Sequence, residues 1–263
     1  MGTGSGSLEA SFNYGGSGFI PVYGDWNGDG VATIGAFDPT TATWYLRNTP
    51  GPGPAEVIFQ FGPAGSLPVV GDWDGNGTTT VGVFVPESAQ WYLRNRNTPG
   101  AADFAFQYGW PGVVPVAGDW NGDKVDTVGV YYPPTGQWAL RNSPGGGAAD
   151  LFFSYGYAGT QPVVGDWSGS GVDGIGIYDP SSGLFLLRNQ ATAGSPDLAT
   201  TVSAGTGFRG GPVGTRFVGN ALVTLPGSRG PGDPGYNPAV DGTAPVGLNS
   251  TAGNTAIVWR PPL

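Results

Sequence analysis

The side chains best suited to chemistry in this sequence carry oxygen and recur on alternate positions. Asp25, Asn27 and Asp29 form one set, Asp72, Asp74 and Asn76 a second, and Asp119, Asn121 and Asp123 a third. A fourth, Asp166, Ser168 and Ser170, keeps a single carboxylate. Spacing of i, i+2, i+4 in a tight loop turns three oxygens toward one point, with glycines such as Gly30 and Gly77 permitting the turn. Hard cations such as calcium are held in this way. The competing reading is a set of Asx turns, in which Asp and Asn satisfy backbone donors of their own loop without an ion. The 263-residue chain has no histidine and no cysteine. Ser-His-Asp and Cys-His relays, disulfides and the usual zinc sites are thereby excluded. Carboxylates available for acid–base work, Asp38, Glu56 and Glu87, are scattered over turns, which disfavours a hydrolase or lyase.

These sets belong to a longer repeat. Gly-Asp-Trp places its Asp at 25, 72, 119 and 166, a constant interval of 47. The same interval relates Trp44, Trp91, Trp138 and Phe185, and also Arg47, Arg94, Arg141 and Arg188, each followed by Asn. The second unit shows four strand-length runs, PVVGDW (68–73), TTTVGVFV (78–85), QWYLRN (90–95) and DFAFQYG (103–109), separated by turn residues. Four antiparallel strands in such a unit make a β-propeller blade. Composition agrees: 50 Gly and 25 Pro interrupt every long helical window, while 39% hydrophobic and 13% aromatic residues supply a core. The expected fold is an all-β, five-bladed propeller of four-stranded blades, at 21–67, 68–114, 115–161, 162–211, and 212–263 with 8–20. Phe12-Asn-Tyr-Gly stands 47 residues ahead of Phe59-Gln-Phe-Gly. The N-terminal strand is therefore expected to join a degenerate fifth blade whose other strands lie near Phe217, at Leu222–Leu225 and at Asn254–Trp259. Closure of that kind removes two open sheet edges. Segment 226–250 carries no strand-like run and reads as a surface excursion or a binding loop. Residues 1–7 read as a leader or cloning remnant outside the domain, lacking the charged and apolar regions of a signal peptide.

GDWNGDG at 24–30, GDWDGNG at 71–77, GDWNGDK at 118–124 and GDWSGSG at 165–171 are each followed by a strand centred on a Val/Ile-Gly step. Over residues 8–211 the chain resembles the bacterial FG-GAP/VCBS-type repeats, related to the integrin α-chain propeller, whose calcium loops read DxDxDGxxD. The resemblance implies structural calcium in the loops and an extracellular or cell-surface module that binds glycans or proteins or accompanies secreted enzymes. The chain departs from the pattern at the ninth loop position, where Thr33, Thr80, Thr127 and Gly174 replace a carboxylate. Lys124 replaces a loop glycine, with Asp126 available to offset its charge, and Arg216 stands where a fifth loop would begin. Loops one to three are the expected metal sites, the fourth is weaker and the fifth is absent.

A net charge of −9 with one lysine, Lys124, excludes the basic footprint of nucleic-acid binding, and no apolar run is long enough for a membrane helix. Trp26, Trp73, Trp120 and Trp167, with Trp44, Trp91 and Trp138, read as packing between blades rather than as sugar platforms. Each repeat arginine follows its loop aspartate by 22 residues. An ion pair or an arginine-to-carbonyl bond is favoured over an exposed ring that binds anionic glycan. Trp110 does not recur and is a candidate contact residue, and Asn249-Ser-Thr is a glycosylation sequon. The expected function is a non-enzymatic, extracellular binding or adhesion module for a glycan or protein ligand. The alternative is a structural scaffold domain of a larger surface protein or assembly.

Overall fold

The computed structural model describes residues 14–201 and, beyond them, four strand segments between 217 and 258. Its first sixteen strands fall into four sheets that repeat one plan. Blade one comprises β1 (Ile20–Gly24), β2 (Thr33–Asp38), β3 (Thr43–Leu46) and β4 (Val57–Gln60). Blade two comprises β5 (Leu67–Gly71), β6 (Thr80–Val85), β7 (Gln90–Leu93) and β8 (Phe104–Gln107). Blade three comprises β9 (Val114–Gly118), β10 (Thr127–Tyr132), β11 (Gln137–Leu140) and β12 (Leu151–Ser154). Blade four comprises β13 (Gln161–Gly165), β14 (Gly174–Asp179), β15 (Leu184–Arg188) and β16 (Leu198–Thr201). Strands follow chain order within each sheet, all neighbours are antiparallel, and the first strands of successive blades lie side by side. This is a β-propeller arrangement of four-stranded antiparallel blades.

Packing between blades explains the sequence pattern. The second strands are apolar on both faces, as in β6 and β10, because a neighbouring sheet covers each side. Gly82 must lack a side chain, since a Cβ there would stand 2.6 Å from Leu93 Cδ2 and 2.8 Å from Val69 Cγ2. Third strands alternate, so Trp91 and Leu93 are fully buried while Tyr92 is half-buried. Trp91 Nε1 and Trp138 Nε1 donate to the carbonyls of Tyr108 and Tyr155, each at 2.8 Å, which pins the third strand to the exit of the fourth. All seven repeat tryptophans are buried, in agreement with the packing role.

Two expectations about the ends are corrected. The described residues show four blades of the repeat, not five. The remaining strands, β17 (Phe217–Val218), β18 (Ala221–Thr224), β19 (Gly247–Asn249) and β20 (Thr255–Val258), form a sheet in the order β17-β18-β20-β19, which breaks the sequential plan. β19 beside β20 comes from the segment expected to hold no strand. Residues 8–13 lie outside the described residues, as do the leader 1–7, Arg216, Trp259 and most of 226–250. Tyr14 and Gly15 are described and are not strand. Even so, Tyr14 keeps the repeat register: it is buried, and its hydroxyl donates to the Tyr45 carbonyl at 3.3 Å.

Blade four closes differently for a local reason. Thr80 and Thr127 donate their hydroxyls to the carbonyls of Gly71 and Gly118 at 3.2 and 3.4 Å, and Thr127 also to Arg141 O at 2.6 Å. Blade four has Gly174 at this place, and its second and third strands pair one residue further, at Ile175↔Arg188.

Candidate functional site

The oxygen-rich loops join the first and second strands of each blade. In loop one, Asp25 Oδ1 accepts the N–H groups of Gly28 and Asp29 at 2.8 and 3.2 Å, and Oδ2 accepts that of Gly30 at 2.7 Å. Asp72, Asp119 and Asp166 do the same, with Gly77, Lys124 and Gly171 donating at 2.7, 2.8 and 2.6 Å. Inside loops one and three the asparagine bridges to the last acid, with Asn27 Nδ2 donating to Asp29 Oδ2 at 2.8 Å and Asn121 Nδ2 to Asp123 Oδ2 at 2.9 Å. The loops are thus Asx turns held by their own carboxylates.

The residue seven places after the loop aspartate in blades two, three and four performs a second task that the sequence reading missed. Thr79 Oγ1 accepts the N–H of Asp25 in the preceding blade at 3.1 Å, and the Thr79 N–H returns a bond to the Asp25 carbonyl at 2.7 Å. Asp126 holds Asp72 likewise, at 2.8 Å in both directions, and Asp173 holds Asp119 at 3.0 and 2.7 Å. Each pair is a two-bond latch between neighbouring blades beside the axis. Asp126, expected to offset Lys124, accepts from blade two.

The latches and loops surround a cavity of about 590 Å³, walled by Asp25, Asp72, Asp119, Asp126, Asp166 and Asp173, with Lys124 as the one cation among its described lining residues. Burial raises the Asp72 carboxyl above the usual carboxylate range, against the backbone donors of Gly77, Asn76 and Gly75. Burial pushes on Asp166 too, but N–H donors from Gly171, Ser170, Ser168 and Gly169 outweigh it and the net shift is downward. Lys124 occupies a left-handed backbone position, φ 70°, where the other loops place Gly30, Gly77 and Gly171. A side chain costs roughly 1–2 kcal/mol in that region, offset in part by the greater chain entropy glycine loses. Lys124→Gly is expected to stabilise the fold by about 1 kcal/mol in urea unfolding. A loss of stability would show that the ammonium is needed among the carboxylates.

The repeat arginines do not reach the loop aspartates. Arg47 Nε and Nη1 donate to the carbonyls of Gly51 and Pro54 at 3.0 and 2.8 Å, and Glu56 stands 3.4 Å away. Arg94 binds the carbonyls of Thr98, Pro99 and Ala101, Arg141 that of Ala148 with Asp150 at 3.4 Å, and Arg188 that of Ser195 at 2.6 Å. The carboxylates nine residues downstream, Glu56, Asp103, Asp150 and Asp197, cap the N–H groups of Asn48, Asn95, Asn142 and Asn189 at 2.8–2.9 Å. Arginine-to-carbonyl bonding is therefore the observed role, and the ion pair with the loop aspartate is not formed. Arg47→Ala removes a nearly buried guanidinium that ties down the exposed 49–56 loop through charged hydrogen bonds and is expected to cost about 1–3 kcal/mol, read as a lowered melting temperature. An unchanged midpoint would return the arginines to the list of ligand contacts.

The scattered acids are also engaged locally. Asp38 accepts from Thr40 and Thr41, whose hydroxyls and amides hold its carboxyl low, and Asp179 does so with Ser181 and Ser182. Glu56 lies at the opposite end of β3 from Asp38, and its carboxyl is held low by Thr49, by the Asn48 N–H and by Arg47. Since these folded-state values are depressed, their stabilisation is present above the ordinary carboxylate range and is lost as pH falls from there through the depressed values. Trp110 is half-buried against Tyr132, ring centroids 6.0 Å apart, and so is part of the packing of blades two and three.

No protein family, curated protein or solved structure matches the chain. Any functional reading rests on the residues themselves. For calcium, the side-chain oxygens of Asp25, Asn27 and Asp29 fit in kind, but the contact formed between Asn27 and Asp29 is a hydrogen bond from the amide N–H to Oδ2 at 2.8 Å, and the Asp25 oxygens accept backbone N–H groups. The set is small. Thr33 turns its hydroxyl into the sheet to the Arg47 carbonyl, and among the described residues no three carboxylates gather close enough to hold an ion by themselves.

Proposed function

We propose that the chain is a non-enzymatic binding module of the FG-GAP/VCBS kind, working outside the cell, which engages a glycan or a protein segment through the loop end of its blades. The observation that carries this reading is the axial cavity. Loops of all four blades line it with six aspartates, of which Asp119 and Asp173 are nearly buried, whereas the repeated tryptophans and arginines are consumed inside the blades. Carboxylates with spare lone pairs accept hydrogen bonds from sugar hydroxyls or from Lys and Arg of a basic segment. Calcium would be held by Asp25, Asn27 and Asp29, by Asp72, Asp74 and Asn76, and by Asp119, Asn121 and Asp123, where it supplies cross-linking of loop oxygens. With two carboxylates per loop its binding is weak. Melting in millimolar calcium is expected to exceed melting in EDTA by a few degrees through mass action. An identical midpoint removes calcium from the account.

The scaffold reading draws on a different surface. Ile58 and Phe152, on the outer strands of blades one and three, are 60% and 62% exposed, which suits lateral contact with another chain. An array carrying neutral glycans and basic peptides, probed with and without calcium, separates the two. Hits weakened by Asp25→Asn support the binding module. An empty array favours the scaffold.

A further inference from the structure

We infer that Asn76 is a site of spontaneous covalent modification, while the two other loop asparagines that precede glycine are protected by their surroundings. Asn27-Gly28, Asn76-Gly77 and Asn121-Gly122 are all exposed loop dipeptides. Asn-Gly is the pair most prone to imide formation, because glycine leaves the attacking nitrogen unhindered. In that reaction the glycine N–H gives its proton to solvent base and its nitrogen bonds to the asparagine Cγ, and the carboxamide nitrogen leaves as ammonia. Water then opens the five-membered imide at either carbonyl, leaving aspartate or isoaspartate.

All three glycine nitrogens donate to the loop aspartate, at 2.8, 2.7 and 2.6 Å for Gly28, Gly77 and Gly122, so this bond slows each site alike. Two features separate Asn76 from the others. The carboxamides of Asn27 and Asn121 are held at both ends: Oδ1 accepts the N–H of Asp29 or Asp123 at 3.2 or 3.1 Å, and Nδ2 donates to that residue's carboxylate. The Asn76 carboxamide is held through Oδ1 alone, which accepts from Thr78 N–H at 2.8 Å, so its leaving nitrogen is free to depart. The glycines differ too. Gly28 and Gly122 abut the next blade, where a Cβ would stand 2.8 Å from Thr78 Oγ1 and 2.9 Å from Val172 Cγ2, whereas Gly77 faces open space. The backbone rotation that imide closure demands is thus opposed at the first and third sites and unopposed at the second.

The product adds a negative charge, and in its isoaspartyl form an extra backbone methylene, next to Asp72 and Gly77 on the cavity wall. The test is incubation of the folded protein at mildly alkaline pH with EDTA, followed by peptide mapping for the amide-to-acid mass change and by isoaspartyl labelling. Position 76 is expected to convert several-fold faster than 27 or 121, with the three rates converging when the chain is unfolded in urea. Asp29→Ala, which frees the Asn27 amide while Asp25 still holds the loop, is expected to accelerate conversion at 27. Equal rates in the folded protein, or no acceleration in Asp29→Ala, would overturn the inference.

Discussion

Trp138→Ala is expected to lower unfolding stability by about 3–5 kcal/mol, the range for truncating a large buried aromatic. Trp138 has no exposed surface, its ring centroid lies 4.9 Å from that of Tyr131, and its Nε1 serves the Tyr155 carbonyl. Truncation therefore leaves a cavity between blades three and four and removes the donor that ties the third strand to the exit of the fourth. For a chain of this size the melting midpoint should fall by roughly 10 °C, at about 2–4 °C per kcal/mol. Urea unfolding gives the free energy directly. A cost below 1 kcal/mol would mean that the repeat tryptophans are not the core, and the sugar-platform reading would need to be reopened.

The second large effect concerns the latch. Asp173→Ala removes the acceptor of the Asp119 N–H in a place where both residues are nearly fully buried, at 2% and 6% exposure. An orphaned buried donor costs about 1–3 kcal/mol, whereas Asp173→Asn keeps a carbonyl oxygen in place and should recover most of it. The contrast between the two variants separates the hydrogen bond from the charge. If both lose stability equally, the carboxylate acts through its charge. If Asp173→Ala gains stability, the latch is a concession to the axial cavity rather than a brace.

Much of this arrangement was legible because the repeat is rigid. The second strands begin at Thr33, Thr80, Thr127 and Gly174, a spacing set by the sequence interval itself. Trp44, Trp91 and Trp138 could be assigned to the core because a side chain repeated at one offset must meet the same neighbour each time. The latch escaped notice for the opposite reason. Its members, Thr79, Asp126 and Asp173, differ in type, and the residues they hold lie 54 positions earlier, in another blade. The arginine partners carried a visible signal that went unused: an acid stands nine residues after every repeat arginine, at Glu56, Asp103, Asp150 and Asp197. At the C-terminal end the repeat decays, and the strand order β17-β18-β20-β19 with β19 from segment 226–250 could not be read from the interval.

Side chains fixed at the repeat interval hold blades together, and Asp126 and Asp173 add latches between them while also lining the axial cavity; under the proposed function the loop aspartates are what a ligand there would meet. The acidic cavity also sets the chemistry of what can enter, since anionic glycans would face six carboxylates and one ammonium.

Amide hydrogen exchange of the protein with a ligand found on the array tests the central claim most directly. The account predicts slowed exchange in the four loop segments 24–32, 71–79, 118–126 and 165–173, with the outer strands unchanged. Slowed exchange confined to β4, β8, β12 and β16, with the loops unaffected, would contradict it.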